Sequence, residues 1–345
     1  MNVIVTGAAG FLGSHLMLYH LKRGDHVLGL DNFCSSRRKS LQTDLIDVYS
    51  YTGRLLECDI ASHEQVRSCV VRLDVSSFDV IYNFACPASP PRYMSMPVET
   101  MMTCVAGTLN VLELAREFKC RVVHASTSEV YGDPHVSPQT ESYRGHVNSY
   151  GPRACYDEGK RAAEALCFDY LNKFKTDVRL VRIFNTYGPH MDPGDGRVIS
   201  NFVCQGIKGE PLTVAGNGSQ TRSFCYVDDL IRGIVALGEV AENPRTPVNL
   251  GNPNEMTVMC LAHEVSRRFG SDIVHVPAAI DDPTQRKPDI ALARELLGWE
   301  PLVDLARGLD ETIEYFNSVL TRDDGEERSS LTWRSSGGSS NVRTT

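Results

Sequence analysis

Tyr156 and Lys160 stand four residues apart, so in a helix they share one face. A lysine beside a tyrosine favours the phenolate. Such a tyrosinate takes the proton from a sugar hydroxyl while a nicotinamide takes the hydride. A Tyr-x-x-x-Lys pair alone is common on helix surfaces. Thr127 raises its meaning, because it ends a run that reads as a parallel strand, at the sheet edge where open α/β sites form. Ser128 and Glu129 follow at the same edge. Glu129 reads as a proton-handling or ring-positioning group, or as a sheet-edge carboxylate that bonds the turn after it.

A redox step needs a dinucleotide, and the first residues supply a place for one. Asn2–Thr6 is a short buried-strand pattern. Gly7, Gly10 and Gly13 follow it and open an apolar-periodic helix. Gly7 permits a tight turn, Gly10 lets a pyrophosphate approach the backbone, and Gly13 allows close helix–sheet packing. Asp31 closes the second strand, where it would accept hydrogen bonds from an adenosine ribose and repel a 2'-phosphate. NAD is therefore expected rather than NADP, with Arg37 and Arg38 as the opposing signal. Asp59 and Ile60 end the third strand, facing the adenine. The alternative for Asp59 is a cap on the helix that follows.

These residues need a scaffold. Strands are expected at Asn2–Thr6, Val27–Leu30, Arg54–Cys58, Asp79–Phe84, Arg121–Ser126 and Asp177–Ile183. Helical stretches fall between them, notably His63–Arg72, Val98–Phe118 and Cys155–Phe174. This alternation predicts an α/β fold with a Rossmann-type doubly wound parallel sheet. Residues 1–187 plus 227–250 are assigned to it. Residues 188–226 plus 251–317 should form a smaller α/β substrate domain from two separated segments. Residues 318–345 are Ser-, Gly- and charge-rich and are expected to be a disordered tail.

Composition narrows the partners. The chain has 345 residues, 42% hydrophobic and 23% charged, enough for a large core. Its net charge of -8 and pI of about 5.7 argue against nucleic acid and anionic membrane. The 11 cysteines are scattered without a Cys-x-x-Cys pair and apart from the histidines, so neither disulfides nor a metal site is expected. The first strand pattern begins at Asn2 and no long apolar run exists, so no signal peptide or membrane span is expected. A cytoplasmic enzyme with reduced thiols fits these features.

The combination of Thr127, Tyr156 and Lys160 resembles the extended, sugar-nucleotide-modifying branch of the short-chain dehydrogenase/reductase superfamily. Five blocks narrow it: Ala85–Met94, Gly145–Asn148, Gly151–Arg161, Arg182–Pro189 and Gly218–Phe224. From Asn2 to about Phe316 the chain is similar to the UDP-glucuronate decarboxylase (UDP-xylose synthase) family. It departs from that pattern at Asn83, Phe84, Arg92 and Ser149–Tyr150.

The resemblance implies a reaction. Oxidising C4 of a glucuronosyl ring gives a ketone β to the C6 carboxylate, which then leaves as CO2. Protonation at C5 and return of the hydride give UDP-xylose, with NAD regenerated in place. A sister 4,6-dehydratase has Asp-Glu after its threonine; Ser128 cannot serve as that acid. Cofactor contacts are implied for Phe11, Leu12, Asn32, Phe33 and Ala85 beside the glycines and acids above. Contacts to UDP-glucuronate are implied for Arg92, Asn185, Val198, Thr213, Arg222 and Arg286. The helices at 98–118 and 155–174 would pair with a second copy in a four-helix bundle, giving a homodimer. Three other readings stand beside this one. They are a related 4-epimerase or 4,6-dehydratase, an oxidative decarboxylase releasing a UDP-4-keto-pentose, and a non-catalytic NAD sensor.

Overall fold

The computed structural model describes residues 1–36, 52–71, 77–278 and 283–335. Arg37 and Arg38, the signal against NAD, lie outside the described residues.

Seven strands form one sheet: β1 (Asn2–Thr6), β2 (His26–Asp31), β3 (Gly53–Glu57), β4 (Val80–Asn83), β5 (Arg121–Thr127), β6 (Val178–Ile183) and β7 (Val248–Leu250). Their spatial order is β3-β2-β1-β4-β5-β6-β7, every pair parallel. This is the doubly wound Rossmann arrangement. The strands are near-continuous apolar runs because helices cover both faces. Val3, Ile4 and Val5 of β1 are all buried.

The order reverses between β1 and β4. Such a switch point opens a crevice at the carboxyl ends of the strands. Thr6 pairs with both Leu30 and Asn83, so the ends of β2 and β4 flank the loop after β1. On the other side Thr127 pairs with Ile183 at the end of β6.

The two segments expected to form a substrate domain pair with each other. Leu212–Ala215 lies parallel to Ile273–Val276, and Thr221–Ser223 lies antiparallel to Glu255–Thr257. Helix Val198–Ile207 packs on helix Val258–Phe269. One apolar core nevertheless continues from Val3 and Leu16 through Phe202 and Leu261 to Phe316. The small lobe is therefore welded to the sheet.

Two helices expected to be regular contain π turns. Pro97–Met102 continues through Thr103–Gly107 into Thr108–Phe118, and Ala154–Asp169 ends in Tyr170–Phe174. The first π turn sets Cys104 against Gly159, where an added Cβ would stand 3.0 Å from the Cys104 Cβ. A glycine in mid-helix costs about 1 kcal/mol relative to alanine, and here it makes room for that close helix pair. The last helix, Leu305–Ser335, crosses the domain end expected at 317 and enters the segment expected to be disordered. That segment is polar but lacks proline, and its Glu and Arg residues favour helix. Side chains 322–335 and all of 336–345 lie outside the described residues.

Candidate active site

The glycine loop is tight, and at Gly7 and Gly13 it leaves no room for a side chain. Gly7 has φ +67°, a left-handed conformation that only glycine adopts without cost. Its N–H donates to the Leu30 carbonyl at 2.8 Å, and its own carbonyl accepts from Gly10 N–H at 3.0 Å. A Cβ on Gly13 would fall 2.0 Å from the Gly7 carbonyl oxygen, and one on Gly7 would fall 2.8 Å from the Ala85 backbone. Helix Phe11–Lys22 starts directly behind, with Gly10 as its uncapped N-terminal residue. Its first N–H groups and positive end therefore face the crevice.

Asp31 is buried at the end of β2. Its carboxylate accepts from Ala9 N–H at 2.9 Å, Phe33 N–H at 2.7 Å and Ser36 Oγ at 3.0 Å. Burial nevertheless raises its pKa above the ordinary carboxyl value, against those hydrogen bonds. Asp31 thus braces the glycine loop while facing the crevice. Asp59 does two things as well. It accepts from Ala61 N–H at 2.9 Å at the start of the next turn, and it lines the crevice.

A buried polar network fixes the loop after β4. Thr6 Oγ1 donates to Asn83 Oδ1 at 2.9 Å and accepts from the N–H groups of Phe84 and Ala85 at 3.1 Å each. Asn83 Nδ2 also reaches Thr108 Oγ1 and His124 Nδ1. Asn83 is therefore a brace beneath the Ala85 wall. Thr6 and His124 escaped sequence reasoning, since their partners sit on different strands.

Tyr156 and Lys160 project from helix Ala154–Asp169 toward the end of β5. Both are buried, and Lys160 Nζ lies 5.9 Å from the Tyr156 ring centre. Nζ donates to the Ala125 carbonyl at 2.8 Å. Tyr93 stacks on Tyr156 at 5.0 Å, with planes 6° apart. Burial pushes the Tyr156 phenol well above its ordinary pKa. The groups that draw it back down most are Thr127, by a hydrogen bond, and Arg197, by charge. Arg197 was missed; it is set just before helix Val198–Ile207 and donates to the Ala88 carbonyl at 2.6 Å.

Glu129 sits in a cluster of arginines. Its Oε2 accepts from Arg153 Nη2 at 2.6 Å and Arg286 Nη2 at 3.2 Å. Burial would raise its pKa, but Arg286, Arg153 and Arg222 outweigh burial and hold it below the ordinary carboxyl value. Arg286 Nη1 also donates to the Ser128 carbonyl at 2.7 Å. Asp157, next to Tyr156, behaves in the opposite way. Burial first, then Glu129, pushes its pKa up to about 7. Its Oδ1 has no hydrogen-bond partner among the described residues.

One cavity of about 1330 Å³ gathers these groups. Its wall includes Gly7, Gly10, Phe11, Leu12, Gly13, Asp31, Asn32, Asp59, Ile60 and Ala85. Thr127, Ser128, Glu129, Tyr156 and Lys160 also line it, as do Arg92, Asn185, Val198, Thr213, Arg222 and Arg286. Phe33 stands outside it and packs with Ala9, Leu18 and Leu55. Thr213 Oγ1 accepts from Gln205 Nε2 at 2.8 Å. Arg92 is half exposed and reaches Asp192 across the mouth at 3.3 Å. Among the described residues, no cluster of three or more His, Cys, Asp or Glu could hold a metal ion. No described helix is long and apolar enough to cross a membrane.

Comparison with known proteins agrees with this geometry. The model of the NAD dependent epimerase/dehydratase family matches residues 3–251. The chain is 47% identical over 321 residues to the Xenopus tropicalis protein named UDP-glucuronic acid decarboxylase 1, covering 92% of this chain and 73% of that one. It is 46% identical over 330 residues to the Arabidopsis thaliana UDP-glucuronic acid decarboxylase 1, covering 94% of this chain and 72% of that one. Among solved structures it resembles the UDP-glucuronic acid 4-epimerase of Bacillus cereus in complex with UDP-glucuronic acid and NAD. The TM-score there is 0.79 at 27% identity, over 92% of this chain and 100% of that one. With a sheet of this order, a glycine loop at its switch point and these relatives, the chain belongs to the NAD dependent epimerase/dehydratase family.

Proposed function

We propose that this protein is a UDP-glucuronate decarboxylase that makes UDP-xylose and keeps its NAD. The observation that carries the reading is the meeting of Thr127, Tyr156 and Lys160 with an arginine-bound Glu129 and a Ser128 that cannot act as an acid, all on one cavity wall. The names of the curated relatives support the substrate.

The residues fit a dinucleotide. At Gly7 and Gly13 there is no room for a Cβ, so the turn stays tight and its backbone N–H groups can meet a diphosphate. Asp31 would take the adenosine ribose, and Asp59 and Ile60 would flank the adenine. When bound, NAD supplies a hydride acceptor that later gives the hydride back.

The protein's own groups do the rest. Tyr156 would remove the C4 hydroxyl proton, oriented by Thr127. Lys160, itself fixed by its bond to the Ala125 carbonyl, would favour the phenolate by its charge. The C4 ketone makes the C6 carboxylate a β-keto acid, so CO2 leaves and the ketone oxygen takes the electron pair. Glu129, held as an anion, would position the ring. Arg222, Arg286, Asn185, Thr213, Val198 and Arg92 would bind the charged and uridine parts. To test this, supply UDP-glucuronate labelled with ¹³C at C6, with NAD. Labelled CO2 should appear in step with loss of substrate; label that stays on the nucleotide sugar would overturn the reading.

A 4-epimerase is the second reading, because a similar solved structure is named for that activity on UDP-glucuronic acid. It keeps C6, so the same experiment separates the two. We also infer a homodimer. Val98 and Met102 on one helix, and Phe168 on helix Ala154–Asp169, are exposed apolar side chains on two packed helices. A second copy would cover them. The 11 free cysteines suit a reducing compartment, and the cytoplasm is our reading.

A further inference from the structure

We propose that Cys86 and Cys104 are an oxidisable thiol pair in the cavity wall, and that their closure to a disulfide stops turnover. The switch half of this proposal rests on the function proposed above; the bond itself does not.

The two sulfurs lie 3.4 Å apart, already in contact. A disulfide needs about 2.05 Å, so they must approach by roughly 1.4 Å. Cys104 is the more firmly held of the two. Cys104 is buried in the π turn Thr103–Gly107, pressed against Gly159 one residue before Lys160. Cys86 lies in the irregular segment after β4, lines the cavity and is only partly buried. Closure would therefore draw Cys86 inward.

That movement has consequences for the site. The Ala85 backbone packs on Gly7 so closely that a Cβ there would stand 2.8 Å away. Its N–H is anchored to Thr6 Oγ1 at 3.1 Å. A shift of about 1 Å in catalytic geometry can cost a hundredfold in rate.

The chemistry balances with a small-molecule disulfide as oxidant. The Cys86 thiol loses its proton and attacks one sulfur of the oxidant, releasing one thiol and forming a mixed disulfide. Cys104 then attacks the Cys86 sulfur, and the second small thiol leaves. Two protein thiols are oxidised and one external disulfide is reduced to two thiols.

The experiment uses the full chain, reduced and then exposed to oxidised glutathione. Peptide mapping without reductant should find Cys86 joined to Cys104. Turnover of UDP-glucuronate should fall at least about tenfold and return with dithiothreitol. Cys104→Ser should turn over normally when reduced and resist the oxidant. Free thiols at both positions after treatment, a stable glutathione adduct, or a bond to Cys155 or between Cys58 and Cys69 instead would overturn the proposal. So would full closure with unchanged turnover, or a Cys104→Ser variant as sensitive as the parent. If the reduced protein leaves UDP-glucuronate untouched, the function reading fails and mapping still decides the bond. The switch is then read from NAD affinity, which should fall on oxidation; unchanged affinity would overturn it.

Discussion

Gly13→Ala isolates the packing that makes the dinucleotide site. The new Cβ would lie 2.0 Å from the Gly7 carbonyl oxygen, 2.7 Å from its carbon and 2.9 Å from the Ala8 Cα. All three are backbone atoms, so no flexible side chain can yield. The carbonyl must retreat to at least 3.0 Å, a movement of about 1 Å. It is also the acceptor for Gly10 N–H at 3.0 Å, which starts the helix turn facing the cavity. Overpacking of this kind costs about 1–3 kcal/mol of stability. The loop that would cradle the diphosphate moves with it, so NAD affinity should fall at least about tenfold, or 1.4 kcal/mol. Calorimetric NAD titration and denaturant unfolding measure the two effects separately. Gly24→Ala is the control. Gly24 has φ +85° but open space around a Cβ, so it should lose about 1–2 kcal/mol of stability with no change in NAD affinity. A Gly13→Ala variant that folds and binds NAD like the parent would refute the reasoning.

Tyr156→Phe should keep NAD affinity and lose about 10²–10⁴-fold in turnover, measured by product formation at saturating substrate; normal turnover would remove Tyr156 as the base. Asp157 has a pKa raised to about 7, so its ionisation weakens the fold as pH rises from the ordinary 3.8 through 7. Asp157→Asn should flatten that loss of stability in denaturant melts taken across the same range. Glu129 has a lowered pKa, so its contribution is present above the ordinary 4.5 and fades as pH falls through the folded value. The stability gap between the parent and Glu129→Gln should therefore narrow on acidification. Phe168→Glu should convert the dimer to monomers in sedimentation velocity, because the exposed ring lies on the proposed interface.

The sheet and the dinucleotide loop were legible because their signals are local. Gly7, Gly10 and Gly13 act over a few residues, and the apolar strand runs carry their own pattern. The π turns were not legible, since Thr103–Gly107 is shaped by Gly159 on another helix. The site divides in the same way. Tyr156, Lys160 and Thr127 follow from a helix period and a strand end. Arg153 and Arg197 were missed as site residues, because their meaning comes from Glu129 and Tyr156 folding back onto them. Phe33 follows Asp31 in sequence, but its left-handed backbone turns the ring onto Ala9 and away from the cavity.

The most direct test of the central claim is the fate of a deuterium placed at C4 of UDP-glucuronate, incubated with the protein and a small amount of NAD. Oxidation and return at C4 on a retained cofactor predict UDP-xylose still carrying deuterium at C4, with one CO2 released per molecule and no build-up of NADH. A product that keeps C6, or a keto-pentose released with stoichiometric NADH, would contradict the account.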